Sequence, residues 1–149
     1  GEQAKRQPAS MNTLQHIAEE QFRRWSPDAE QRRLGLRLTV AAPDDTLYPT
    51  PMLRAVIANL LRNALHYTDK GDVQLVLQGR RFKVIDSGAG IPIAERLSVF
   101  RPFVRGGSSR GDGIGIGLSL VQRICAQQGW KIELSDAAGG GCVFEVDLG

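Results

Sequence analysis

The sequence predicts a two-layer α/β sandwich with a mixed sheet, and three observations lead there. Three long stretches repeat apolar residues at helical spacing, shorter stretches alternate with a period of two, and the two kinds interleave along 149 residues. The length fits one domain, and 42% hydrophobic with 23% charged residues can close a core while staying in water.

Residues 1–10 (GEQAKRQPAS) read as an unstructured lead or a cloning remnant, and 11–149 as the domain. From Met11 to about Arg33, Leu14, Ile17, Ala18 and Phe22 recur at helical spacing, giving a first helix interrupted or ended near Ser26-Pro27. Leu34 to Val40 alternates as a half-buried strand, with a short extended piece near Thr46 to Tyr48 as its pairing partner. Thr50-Pro51 then starts a helix that runs to about Thr68, with the threonine as cap and the proline at the first helical position. Asp69-Lys70-Gly71 is turn chemistry; Val73, Leu75, Leu77 and then Phe82, Val84, Ile85 form two strands around Gly79-Arg80. Residues 93–113 loosen into a glycine- and serine-rich loop of lid length with one short helical segment. A helix resumes from about Gly115 to Gln128 and stops at Gly129, and KIELSDA with GCVFEVDL closes the chain as a hairpin across Ala138 to Gly141.

Composition excludes several classes. No apolar run approaches the roughly 20 residues of a membrane span, and the first residues lack the apolar segment of a signal peptide. Cys125 and Cys142, one in a helical and one in a strand pattern, form neither a disulfide framework nor a zinc site. A net charge of +3 is mildly basic, but the arginines are scattered without interleaved aromatics, so nucleic acid is not expected as a partner.

The chemistry begins in the second helix, in NLLRNALHYT. At ~100° per residue Asn59, Asn63, His66 and Tyr67 share one arc, opposite Leu53, Ile57, Leu60, Leu61, Ala64 and Leu65. A polar stripe is usually a solvated face, but amide oxygens at this spacing also suit a divalent metal. Downstream, six glycines fall among residues 106–117, dense enough to let backbone N–H groups approach a polyphosphate, and the helix that follows directs its positive end to the same place. There is no Gly-Lys-Ser/Thr of a phosphate loop, and no strand precedes Gly113 as a dinucleotide fingerprint requires. Asp86, at a strand end before Ser87-Gly88-Ala89-Gly90, can set a carboxylate against the exocyclic amine of a purine, selecting adenine over guanine.

Taken together and in order, NLLRNALHYT, DSGAGIP, VFRPFVRG and GDGIGIGLSL resemble the N, G1, F and G2 boxes of the histidine-kinase catalytic and ATP-binding domain. The resemblance runs from about residue 11 to the end. It implies the Bergerat-type sandwich shared with gyrase, mismatch-repair and heat-shock chaperone ATPases, with about five strands on three helices and a flexible ATP lid. It implies ATP and Mg2+ as cofactors: Asn63 as magnesium ligand, Asn59 as its partner near the phosphates, Tyr67 against adenine, Asp86 as adenine acceptor, and Gly88 and Gly90 flanking the base with Ile91 beside them. Phe100 and Phe103 resemble lid anchors and Arg105 the lid cation that reaches the terminal phosphate, while Gly113, Gly115, Gly117 and Leu118 resemble the phosphate-facing turn. Asn59, Asn63 and Arg105 form the catalytic set. His66, where the family often has lysine or arginine, either touches a phosphate or fills the helix face.

Position 59 separates kinase from hydrolase. The related ATPases place a glutamate there to activate water, and an asparagine takes no proton at neutral pH. The same residue argues against the anti-sigma type of serine kinase, and the presence of both Asn63 and the lid box argues against a non-catalytic nucleotide sensor. The acceptor would be a histidine, yet neither His16 nor His66 carries the family's His-Glu-x-x-Thr/Asn-Pro pattern. The resemblance thus implies an excised catalytic domain, monomeric when isolated. Its partners would be an upstream dimerisation and phosphoacceptor domain and, through the full-length protein, a response-regulator receiver domain. It would sit in the cytoplasm as part of a bacterial inner-membrane sensor, without touching the membrane itself. Arg101, Tyr48-Pro49 and Cys142 depart from the family pattern, and none of them removes a core ligand.

Overall fold

A computed structural model describes residues 10–88 and 114–149 of the chain. In chain order the elements are β1 (Met11–Thr13), α1 (Leu14–Gln31), β2 (Gly35–Ala42), β3 (Leu47–Pro49), α2 (Thr50–Tyr67), β4 (Asp72–Gln78), β5 (Arg81–Asp86), α3 (Ile114–Gln128), β6 (Lys131–Asp136) and β7 (Cys142–Asp147). Five strands form one sheet in the order β2-β4-β5-β7-β6, while β1 and β3 form a separate two-stranded sheet. The pair β2/β4 is parallel and the other pairs of the large sheet are antiparallel, so the sheet is mixed, as expected.

One face of the sheet is the core. Val73, Leu75 and Leu77 of β4, Phe82 and Val84 of β5, and Phe144 and Val146 of β7 alternate inward against Leu53, Ile57, Leu60 and Leu61 of α2, all of them buried. Burying each such side chain stabilises the fold by about 2 kcal/mol before chain entropy is subtracted. The opposite face is polar, with Arg37–Asp72 and Arg81–Asp147 at 3.6 Å and Lys83–Glu145 at 4.0 Å. Antiparallel sheets tolerate one solvated face in this way.

The N-terminal segment differs from the sequence expectation in three respects. Met11–Thr13 is a strand, not helix, because Asn12 and Tyr48 pair across the small sheet and Thr13 is spent as the N-cap of α1, its hydroxyl accepting the His16 N–H at 3.1 Å. The extended piece near Tyr48 therefore pairs with β1, not with β2. Finally, α1 runs unbroken through Pro27. Both Arg23 and Pro27 are exposed, so the carbonyl deprived of its donor lies on the solvent side, and the Ser26 hydroxyl donates to the Phe22 carbonyl at 2.6 Å.

Helix α2 begins where expected but is capped differently. Pro49 occupies the cap position with no side-chain bond, and Thr50 is already helical and buried. Its N–H donates to the Ser10 carbonyl at 2.8 Å and its hydroxyl accepts from Asn12 Nδ2 at 3.1 Å, so β1 and the residue before it satisfy the helix start. The other end is held by Arg32, whose guanidinium donates to the carbonyls of Leu65 and, at 3.0 Å, of Thr68. Both ends of the asparagine-bearing helix are thereby fixed from α1 and its flanks.

Candidate functional site

The polar stripe of α2 is not a solvated face. Asn63 is 2% exposed and Tyr67 8%, while Asn59 is half-buried. The two asparagines are also differently engaged. Asn59 turns its amide back on the helix: Nδ2 donates to the Ala55 carbonyl at 2.7 Å and Oδ1 accepts from Arg62 Nη2 at 3.0 Å. Asn63 Oδ1 is buried with no hydrogen-bond partner among the described residues. An orphaned buried amide oxygen costs about 1–3 kcal/mol, and a hard cation or its bound water is the partner such an oxygen suits.

Asp86 closes the far side. It ends β5, lies 3% exposed, and accepts at Oδ1 the backbone N–H of Gly88 at 3.0 Å and of Cys142 at 3.4 Å. Burial pushes its carboxyl above the usual carboxylate range, opposed by those two N–H donors. Among the described residues no hydrogen bond reaches Oδ2, which is left to accept from a ligand.

Glycine is required at two places around this carboxylate. A Cβ on Gly88 would stand 2.3 Å from the Tyr67 carbonyl oxygen, so the loop after β5 presses directly on the end of α2. A Cβ on Gly141, at φ +94°, would stand 1.9 Å from the Asp86 carbonyl oxygen. The hairpin before β7 thus packs backbone to backbone on the Asp86 strand end. Sequence reasoning read Gly141 only as part of a turn; the available signal was a third consecutive glycine, more than the turn needs.

Of the residues expected at the site, Asn63, Tyr67, Asp86 and Gly88 are gathered around the junction of α2 and β5. Gly117 in the first turn of α3 lies against Asn59, its imagined Cβ 2.9 Å from Asn59 Oδ1. Gly115 belongs to that same first turn. The Leu118 side chain is 1% exposed and committed to the core. His66 sets its ring edge-on to Tyr67, with centroids 5.6 Å apart, and lines an open groove between α1 and α2 with Trp25, Arg32 and Arg62. Gly90, Ile91, Phe103, Arg105 and Gly113, with Phe100, Arg101 and the rest of the expected lid, lie outside the described residues. Of the two cysteines, Cys125 is a buried core thiol whose pKa burial raises to about 11, which makes it unreactive.

Chains of similar sequence and fold are known. The Virulence sensor protein BvgS of Bordetella bronchiseptica is 32% identical over 127 residues, covering 77% of this chain and 10% of its own length. The Alginate biosynthesis sensor protein KinB of Pseudomonas aeruginosa is 35% identical over 132 residues, covering 84% of this chain and 22% of its own. The chain therefore spans about a fifth or less of the length of these curated relatives. Among solved structures, full-length ShkA in complex with AMPPNP superposes with a TM-score of 0.81 at 26% identity, over 94% of this chain and 31% of that one. The nucleotide-free catalytic domain of the histidine kinase ThkA shares the fold over 94% of both chains, with a TM-score of 0.77. Residues 50–149, which hold Asn59, Asn63, Tyr67, Asp86 and Gly88, match the family model described as "Histidine kinase-, DNA gyrase B-, and HSP90-like ATPase", and to that family this chain belongs.

Proposed function

We propose that this chain is the ATP-binding catalytic part of a two-component sensor histidine kinase, passing the γ-phosphoryl group of ATP to a histidine on a separate dimerisation domain. The observation that carries the reading is Asp86: buried, held through Oδ1 by two backbone N–H groups, with Oδ2 left for the exocyclic amine of adenine. An AMPPNP-bound neighbour supports a nucleotide of this class.

Each residue then has a task. Tyr67, pressed by Gly88, provides an apolar wall for the base. Asn63 Oδ1 would hold Mg2+, directly or through water, and the ion would neutralise phosphate charge. The first turn of α3, with Gly115 and Gly117, offers N–H groups to the phosphates, and Arg105 of the lid supplies a cation. Catalysis in this scheme is positioning and charge neutralisation. Asn59 is an amide without basicity, so water is not activated and ATP is kept for the histidine. The expected partners are that upstream acceptor domain and a receiver domain of a response regulator. Among the described residues no helix is long and apolar enough to cross a membrane, which is compatible with a cytoplasmic catalytic segment of a bacterial sensor.

Magnesium-dependent ATP binding by calorimetry, with GTP as competitor, tests the reading. ATP should bind in preference to GTP, and Asp86→Asn should abolish the preference. Equal affinity for both nucleotides, or none for either, would remove the assignment.

A further inference from the structure

Arg62 was not among the residues expected at the site, yet it reaches the place where the phosphates would lie. It follows Asn59 by one helical turn and donates from Nη2 to Asn59 Oδ1 at 3.0 Å. Its Nη2 lies 2.6 Å from where a Cβ of Gly117 would stand, so the guanidinium rests on the first turn of α3. Gly117 is the fourth residue of that helix, and the first four N–H groups of a helix lack intrahelical acceptors. The glycine leaves room for the arginine, and Asn63, with its orphaned oxygen, follows Arg62 directly in α2.

Charge leaves this arginine available to an anion. Arg54, in the same groove between α1 and α2, is committed to Glu20 at 2.7 Å. Arg62 has no carboxylate partner among the described residues; its contact is a neutral amide. A phosphate dianion is a much stronger acceptor than an amide oxygen, and a planar guanidinium suits it in bidentate fashion.

Building on the nucleotide-site reading above, we propose that Arg62 is a ligand of the terminal phosphate: when ATP binds, its guanidinium leaves Asn59 Oδ1 for γ-phosphoryl oxygens, and the domain thereby distinguishes ATP from ADP. Asn59 acts in the empty site as the rest position of the cation.

Calorimetry with Mg-AMPPNP and Mg-ADP on wild type, Arg62→Gln and Arg62→Lys tests this. Arg62→Gln should weaken AMPPNP about tenfold and ADP by less than about twofold, because one charge-assisted contact to the γ-phosphate is lost. Arg62→Lys, which keeps the charge without the fork, should recover part of the difference. Unaltered ADP binding also reports that the variants are folded. Equal loss for both nucleotides would make Arg62 a structural residue and overturn the proposal, as would no change for either, or a loss seen only in phosphoryl transfer to an acceptor domain. If wild type binds neither nucleotide, the function reading fails and this proposal with it; if wild type binds both and the Arg62→Gln ratio is unchanged, only the proposal fails.

Discussion

The backbone of Gly88 lies against the carbonyl of Tyr67 so closely that a Cβ would come within 2.3 Å of that oxygen and 3.0 Å of its carbon. The neighbour is main chain at the end of a packed helix, so it cannot swing aside as a flexible side chain would. Gly88→Ala should therefore push the loop off α2, destabilising the domain by about 1–3 kcal/mol and weakening ATP binding by more than stability alone explains. Thermal melts paired with calorimetry would check it; an alanine variant with wild-type affinity would mean that the loop relaxes freely.

Asp86 should cost stability at neutral pH and contribute to binding. Burial raises its folded pKa above the ordinary value of 3.8, so the native state holds its proton more tightly than the unfolded chain does. By linkage, stability rises as pH falls through the folded pKa towards 3.8, and the burial penalty is in full force above that window. Asp86→Asn, which keeps an acceptor for the Gly88 N–H, should be as stable as wild type or more so at pH 7, with the gap closing on acidification, while its ATP affinity collapses. Denaturant titrations across pH 4 to 7 read the first part. A variant less stable at pH 7 than at low pH, relative to wild type, would contradict the buried ionised carboxylate.

Asn63→Ala separates a structural amide from a ligand. Removing an oxygen that has no partner relieves a penalty while opening a small cavity, so stability should change by no more than about 1 kcal/mol. The Mg2+ dependence of ATP binding should disappear. Persistence of that dependence in the variant would move the ion to other ligands.

Two helices end on the same device with different residues. At α3, Gly129 stands at φ 75° and the Trp130 N–H reaches back to the Cys125 carbonyl at 2.8 Å. At α1, Arg33 holds the same place at φ 58°, and the Leu34 N–H reaches back to the Ala29 carbonyl at 2.8 Å. An L-residue in the left-handed region is strained by about 1 kcal/mol or more, and Arg33 is exposed. Arg33→Gly should raise stability by up to about 1 kcal/mol, read as a shift in denaturation midpoint at unchanged slope. A lower midpoint would show that the arginine side chain contributes more than its backbone costs.

The sequence by itself determined the period of each long element, the mixed sandwich, and the order of the four glycine- and asparagine-bearing segments. These follow from local spacing, because burial of one face imposes a period of 2 or 3.6 wherever it occurs. It also placed Asn63, Tyr67, Asp86 and Gly88 together through the family resemblance. What it could not set were relations between distant backbones. The pairing of β1 with β3, the continuity of α1 through Pro27, the Arg32 clamp on α2 and the Gly141 contact with Asp86 each depend on which groups meet across the fold. The difference between the two asparagines is of the same kind. Both are amides on one helix face; Asn59 spends its amide on Ala55 and Arg62 of its own helix, while burial under the packed elements leaves Asn63 Oδ1 without a partner among the described residues.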